Sequence, residues 1–164
     1  MPGKTVRESR ISMSQLMLPQ DANPAGNVHG GVVMKLIDNA GAVVAMRHVR
    51  GNVVTASIDR MDFLHPVFVG DLVHVKACLN YVGTSSMEVG VRVNAENILT
   101  GELRHAVSAY LTFVALDEDG KPMQAPPLIA ETSEDFRRRD AAQARRSVRL
   151  TERRMAKNSR NRAI

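Results

Sequence analysis

The chain has 164 residues, enough for one domain with a hydrophobic core and too few for two of ordinary size. It is 44% hydrophobic with no Trp and nine Met, so its interior must be built from aliphatic and Met side chains. A single cysteine, Cys78, excludes an internal disulfide and a multi-cysteine metal site, and the formal charge of +5 is concentrated after residue 136, where it describes a tail more than a core.

The opening MPGKTVRESR has no apolar run like that of a signal peptide, and no stretch approaches the roughly 18 apolar residues of a membrane span. A cytoplasmic protein is expected. Residues 5–17 are β-branched and partly alternating, which predicts a first strand, and the following LPQDANPAGNVHGG, dense in turn formers, predicts a long ordered loop. From Gly30 the pattern changes. GGVVMKLIDNAGAVVAMRH lacks Pro, is apolar on almost every face, and ends in Arg47 and His48, which predicts a helix of about five turns with its cations at the C-terminal end.

A helix apolar all round must be surrounded. The wrapper is predicted from NVVTASIDRMDFLHPV, DLVHVKACLNYVG, TSSMEVGVRVNAEN and ELRHAVSAYLTFVALDEDG, four successive strand candidates separated by turn signals. The expected fold class is therefore α+β, a curved antiparallel β-sheet around one long buried α-helix. Pro126-Pro127 then breaks the strand pattern, and Thr132, Ser133 and Asp135 can start a polar, Arg-rich helix running to about residue 156. Residues 1–130 are read as the body and 131–164 as a basic helical tail.

Within Gly26–Asp38, Gly30 and Gly31 open the buried helix, whose first amides have no partner inside it and can bind an anion or polarise a carbonyl. Asp38 lies two turns on, among apolar residues, where an unpaired buried carboxylate costs several kcal/mol, roughly. Plain structural readings stand beside these: a steric Gly pair, and Asp38 turned to solvent near Lys35 and Asn39 or bridging a subunit contact. Asn27 can be a turn former or helix cap, and His29 can be a general base or a local hydrogen-bonding group. The remaining histidines show no metal-ligand spacing, so no metal is expected, and no Gly-x-Ser-x-Gly element is present.

The run NVHGGVVMKLIDNAGAVVAMRH, followed by VVTASIDRMDFLHPVFVGDLVHVKACLNYVGTSSMEVGVRV, resembles the hotdog-fold acyl-CoA thioesterases, and within them the cytosolic acyl-CoA hydrolase branch. The likeness spans roughly residues 10 to 118. It rests on the combination of an Asn-x-x-Gly-Gly loop, a helix Asp seven residues after the second Gly, a Phe-x-x-Pro-x-x-x-Gly-Asp turn and a Val-Gly-x-Ser-Ser segment. The resemblance implies a hotdog fold that hydrolyses fatty acyl-CoA to free fatty acid and CoA at a site between two subunits. It implies Asp38 as the acidic residue that activates water or attacks the thioester, Asn27 as its assistant, and Gly31 as the amide that polarises the carbonyl.

His29 and Gly30, with Gly83, Thr84, Ser85 and Ser86, are the substrate-binding candidates. No cofactor is implied, since CoA is part of the substrate. A homo-oligomer is expected, a dimer or a trimer of dimers, without a nucleic-acid partner. The alternative is a non-catalytic acyl-CoA-binding hotdog whose basic tail makes a nucleic-acid or protein contact. The tail has no counterpart in the family's core, and is expected to be a solvated helix packed across the oligomer surface.

Overall fold

A computed structural model describes residues 1–162, and the side chains of these except Arg153 and those from residue 157 onward. The elements run β1 (Lys4–Thr5), α1 (Val6–Ser9), β2 (Ile11–Leu16), a 3-10 turn (Pro19–Asp21), α2 (Gly30–Val49), β3 (Asn52–Phe63), β4 (Asp71–Val82), β5 (Ser86–Asn97), β6 (Leu103–Leu116), β7 (Leu128–Ile129) and α3 (Ser133–Arg162). The main sheet is five-stranded in the order β2-β4-β5-β6-β3, and every pairing in it is antiparallel. This is the hotdog arrangement.

Strict alternation builds the core. Val73, Val75, Ala77 and Leu79 of β4, Met87, Val89, Val91 and Val93 of β5, and Val107, Ala109, Leu111 and Phe113 of β6 all turn inward and are buried. Against them α2 lays Val33, Leu36, Ile37, Ala40, Gly41, Val44 and Ala45. Gly41 is glycine because a Cβ there would lie 2.8 Å from the Phe113 ring, so helix and sheet meet closely at that point.

Three expectations are corrected. The N-terminal strand does not run unbroken through residues 5–17: Glu8 accepts hydrogen bonds from Thr5 N–H and Thr5 Oγ1, and this capping box winds residues 6–9 into one helical turn. The long helix is not surrounded. Its buried stripe faces one sheet, while Met34, Val43 and Met46 are exposed, as are Val54 and Ile58 of the edge strand β3. Residues 121–131 also hold a short strand that turn residues had masked, since β7 pairs in parallel with β1.

The tail was expected to be a solvated helix packed across the oligomer surface; in the single chain it packs on its own sheet. α3 opens on a Thr132/Asp135 hydrogen-bond pair and docks on the outer face of its own sheet, burying Ala142 completely. Arg145 reaches Glu88, which is 3% exposed, at 2.6 Å and stacks on the Tyr110 ring at 3.8 Å. Arg149 pairs with Asp59 on β3, and Arg138 donates to Cys78 Sγ at 3.4 Å. Cys78 is thus a half-buried strand residue beneath α3, its thiol pushed up by burial.

Candidate active site

Asp38 lies on the flank of the buried stripe of α2, half-buried, and its Oδ1 accepts a 2.8 Å hydrogen bond from Thr55 Oγ1 of β3. Thr55 pairs with Phe113, an inward residue of β6, and so faces the helix; the ladder slips between Thr55 and Ser57, a bulge on an edge strand of the kind that re-aims a side chain. Nothing in the sequence marked Thr55, because a Thr in a strand is commonplace and its partner is seventeen positions away.

The start of α2 is set by the preceding loop. Asn23 N–H donates to Asn27 O at 2.7 Å, Val28 N–H to Val67 O at 2.8 Å and His29 N–H to Asp21 O at 2.8 Å, while Gly26 takes a φ of +87° that glycine permits. Asn23 Oδ1 accepts from the amides of Ala25 and Asn27, at 2.9 and 3.2 Å, which consumes its carbonyl and leaves its Nδ2 with no partner among the described residues. Asn23, Asn27 and Gly30, with Val33, Phe63 and His65, line a cavity of about 300 Å³ at this helix end. His65 is fixed there by its Nδ1, which donates to His105 O at 2.9 Å. Asn23, passed over as a turn former, therefore shares the cavity with Asn27.

The two glycines do not have the same freedom. The Gly31 N–H expected to polarise a carbonyl already donates to His29 Nδ1 at 2.9 Å, the N-cap of α2. The Gly30 N–H has no partner among the described residues, and Gly30, unlike Gly31, lines the cavity. As the helix stands, the amide open to a ligand is that of Gly30, and His29 is a cap.

Asp38 does not line this cavity. It stands two turns along α2, roughly 12 Å along the axis at 1.5 Å per residue, so a single chain does not bring Asn27 and Asp38 together.

The Gly83–Ser86 segment is the hairpin between β4 and β5. Its Gly83 N–H donates to Ser86 O at 2.8 Å, and the carbonyls of Thr84 and Ser85 hold Ala125 and Ala115. This backbone is structural, and in register it lies level with Val54, two strands in from the β3 edge. The Gly70-Asp71 turn is structural too. Asp71 is 3% exposed and accepts from Phe68 N–H at 2.9 Å and from Arg104 at 2.6 Å, which accounts for Arg104 as an ion-pair partner. Arg60 pairs with Asp62 on the surface. Among the described residues no group of three His, Cys, Asp or Glu side chains could hold a metal, and no helix is long and apolar enough to cross a membrane.

The family model described as the thioesterase superfamily matches residues 25–102. An uncharacterized acyl-CoA thioester hydrolase, YkhA, of Bacillus subtilis (strain 168) is 39% identical over 90% of this chain and 86% of its own length. Among solved structures, an apo hexameric acyl-CoA thioesterase superposes with a TM-score of 0.89 at 39% identity, covering 93% of this chain and 97% of that one. An acyl-CoA hydrolase from Staphylococcus aureus, in complex with butyryl coenzyme A, coenzyme A and coenzyme A disulfide, superposes with a TM-score of 0.89 at 37% identity over 96% of each chain. Variants of the S. aureus enzyme with one Asp, one Asn or one Thr replaced by Ala have also been solved. With its five-stranded antiparallel sheet, its central helix and these likenesses over nearly the full length, the chain belongs to the hotdog-fold thioesterase superfamily.

Proposed function

We propose that the chain is an acyl-CoA thioester hydrolase whose sites form between two copies of itself. The observation that carries this reading is the Asp38 carboxylate, held by Thr55 beside an edge strand and a helix face that one chain leaves uncovered. An edge strand as long as β3, with Val54 and Ile58 exposed, is a template for pairing. Antiparallel pairing of β3 with its two-fold mate also covers the exposed flank of α2 and carries the start of one copy's helix toward Asp38 of the other.

The chemistry follows from the groups at hand. A thioester carbonyl is weakly resonance-stabilised and its thiolate leaves readily, so a polarised oxygen and an activated nucleophile suffice. Asp38 takes a proton from water as the water adds to the carbonyl carbon, or adds itself to form an anhydride that water then opens. In either route the C–S bond breaks, the carboxylic acid is released and the departing thiolate gains the proton. The helix N-terminus stabilises the oxyanion, with the Gly30 amide open and the Gly31 amide available once His29 turns away. The apolar wall of Val28, Val33, Phe63 and Val67 suits an acyl chain.

Between Asn23 and Asn27, Asn23 is favoured as the assisting amide. The Asn, Asp and Thr substituted in the S. aureus enzyme are separated by the same intervals as Asn23, Asp38 and Thr55 here. The hexameric thioesterases among the relatives support a trimer of dimers, and the cytosolic acyl-CoA hydrolase of Mus musculus, 36% identical over 38% of its own length, supports a cytoplasmic setting. The non-catalytic reading weakens because Arg138, Arg145 and Arg149 of the tail face the sheet rather than a partner.

The test is thiol release from a short-to-long acyl-CoA series by wild type, Asp38→Asn, Asn23→Ala and Asn27→Ala. The expected result is turnover by wild type, loss of at least about a hundredfold in kcat for Asp38→Asn, and a larger loss for Asn23→Ala than for Asn27→Ala. An Asp38→Asn variant that is folded, oligomeric and as active as wild type would sink the mechanism.

A further inference from the structure

The edge strand β3 is irregular in a way that covering the helix does not require. It pairs only with β6, and the ladder slips twice between Thr55 and Arg60. Thr55 stands opposite Phe113 and Ser57 opposite Thr112, so Ala56 is an extra residue; Ile58 stands opposite Leu111 and Arg60 opposite Tyr110, so Asp59 is another. A strand with one neighbour has one ladder to fix its register, and a shift of one residue turns a side chain to the other face. Were the first bulge to move one step toward the start of β3, Thr55 would become the extra residue, and its hydroxyl would lose the aim that brings it to Asp38.

The carboxylate of the second extra residue opposes that movement. Asp59 Oδ1 accepts from Ser57 Oγ at 2.7 Å and its Oδ2 from Thr112 Oγ1 at 2.7 Å, and Ser57 and Thr112 are the pair that directly follows Ala56. A third donor, Arg149, comes from α3, and the side chains of Asp59 and Arg149 are only 12% and 14% exposed, so water screens the pair little. The helix itself is held by Arg145 on Glu88 and by the burial of Ala142. A guanidinium presented by a separately anchored helix serves the strand more than the helix.

We propose that Arg149 is a positioning residue for hydrolysis: with Asp59 it locks the double bulge of β3, and through the bulge it holds the Thr55 hydroxyl on Asp38. This rests on the reading of Asp38 and Thr55 as parts of the hydrolytic site. Arg149 and Asp59 work from the face of the sheet opposite α2, so they act on the rate only through β3. Loss of the cation leaves a nearly buried carboxylate with two hydroxyl donors, a costly state that the strand relieves by turning Asp59 toward water. That turn releases Ser57 and Thr112, and with them the bulge at Ala56.

The test is a double-mutant cycle on thiol release from acyl-CoA by the full chain, with wild type, Arg149→Ala, Thr55→Val and the double variant, following oligomeric state and melting temperature throughout. Acting through Thr55, Arg149→Ala lowers kcat about fivefold with KM within about twofold, while in the Thr55→Val background the same change costs less than about twofold. Arg149→Lys, which keeps a cation within reach of Asp59, recovers most of the rate. Asp59→Asn breaks the same pair from the strand side, leaving a long side chain that can reach water, and runs the same cycle should Arg149→Ala not fold. Amide hydrogen exchange, read without substrate, follows the strand directly: Arg149→Ala exchanges faster over β3 while β4 and β5 keep wild-type rates. Full additivity of the two substitutions, as for an arginine that only stabilises the fold, or β3 exchange equal to that of wild type, overturns the proposal. A wild type that releases no thiol refutes the hydrolase reading instead, and the exchange measurement then decides alone whether Arg149 locks the strand.

Discussion

Replacing Thr55 by Val removes one hydroxyl while keeping the volume of the side chain and its β-branched fit to a strand. The hydroxyl donates to Asp38 Oδ1 at 2.8 Å, a charge-assisted hydrogen bond of the kind that contributes about 1.5–3 kcal/mol. Both groups are partly open to solvent in the single chain, so the lower end applies, and about 1.5 kcal/mol corresponds to roughly tenfold in rate. The carboxylate that loses this anchor still exists but samples more rotamers, so the loss belongs in kcat more than in KM. Steady-state thiol release by wild type, Thr55→Val and Thr55→Ser measures it, with melting temperature and oligomeric state as controls. Thr55→Ser keeps the donor and should recover most of the rate. Turnover by Thr55→Val within about twofold of wild type, or Thr55→Ser as slow as Thr55→Val, would refute the positioning role assigned to the hydroxyl.

Two further predictions concern what holds the frame. Arg145→Ala strips Glu88, 3% exposed, of its cation and leaves it only Asn80 Nδ2 at 3.1 Å. Breaking such a pair costs about 3 kcal/mol, or roughly 6–12 °C in melting temperature for a chain of this size, and Arg145→Ala/Glu88→Gln should recover part of it; a loss below about 1 kcal/mol at matched protein concentration would show that α3 is held otherwise. His48 is fully buried, its Nε2 donating to Pro126 O at 2.8 Å and its Nδ1 buried without a partner among the described residues, and burial holds its pKa below the ordinary 6.5. The unfolded chain therefore binds a proton near pH 6.5 that the folded chain resists, so His48's contribution to stability is intact above that pH and is lost as pH falls below it. Thermal melts from pH 8 to 5 should fall less steeply for His48→Gln than for wild type, and equal slopes would contradict this account.

Period-two alternation made β4 and β5 legible within a residue or two and β6 except for its end, which stops at Leu116, four residues short of the candidate segment, because each has a continuous apolar face against one helix. The same logic misread the surroundings of α2. An all-round apolar pattern does not say which face of the helix its own sheet covers. The residues 6–9 turn was hidden for a different reason: Val6 and Ser9 are buried as a strand residue would be, and only the Thr5/Glu8 pairing gives the turn away. In the tail the arginines were counted as a charge. Their partners Glu88 and Asp59 lie more than fifty positions earlier, on outward strand positions that look like ordinary solvated acids.

The candidate site was legible where chemistry conflicts with its surroundings and opaque where it does not. Asp38 stands out because a carboxylate within an apolar helix requires an explanation. Thr55 and Asn23 do not, because a strand Thr and a loop Asn are the residues expected there on structural grounds alone. The Asn23 carbonyl holds the loop through the Ala25 and Asn27 amides, while its Nδ2 has no partner among the described residues and the residue lines the cavity. Replacing it therefore disturbs the loop as well as any bound carbonyl. Asn23→Asp separates the two, since it keeps the acceptor that closes the turn and removes the donor. A variant with unchanged melting temperature and sharply reduced kcat would place the function of Asn23 in its amide, whereas full activity would return the assisting role to Asn27.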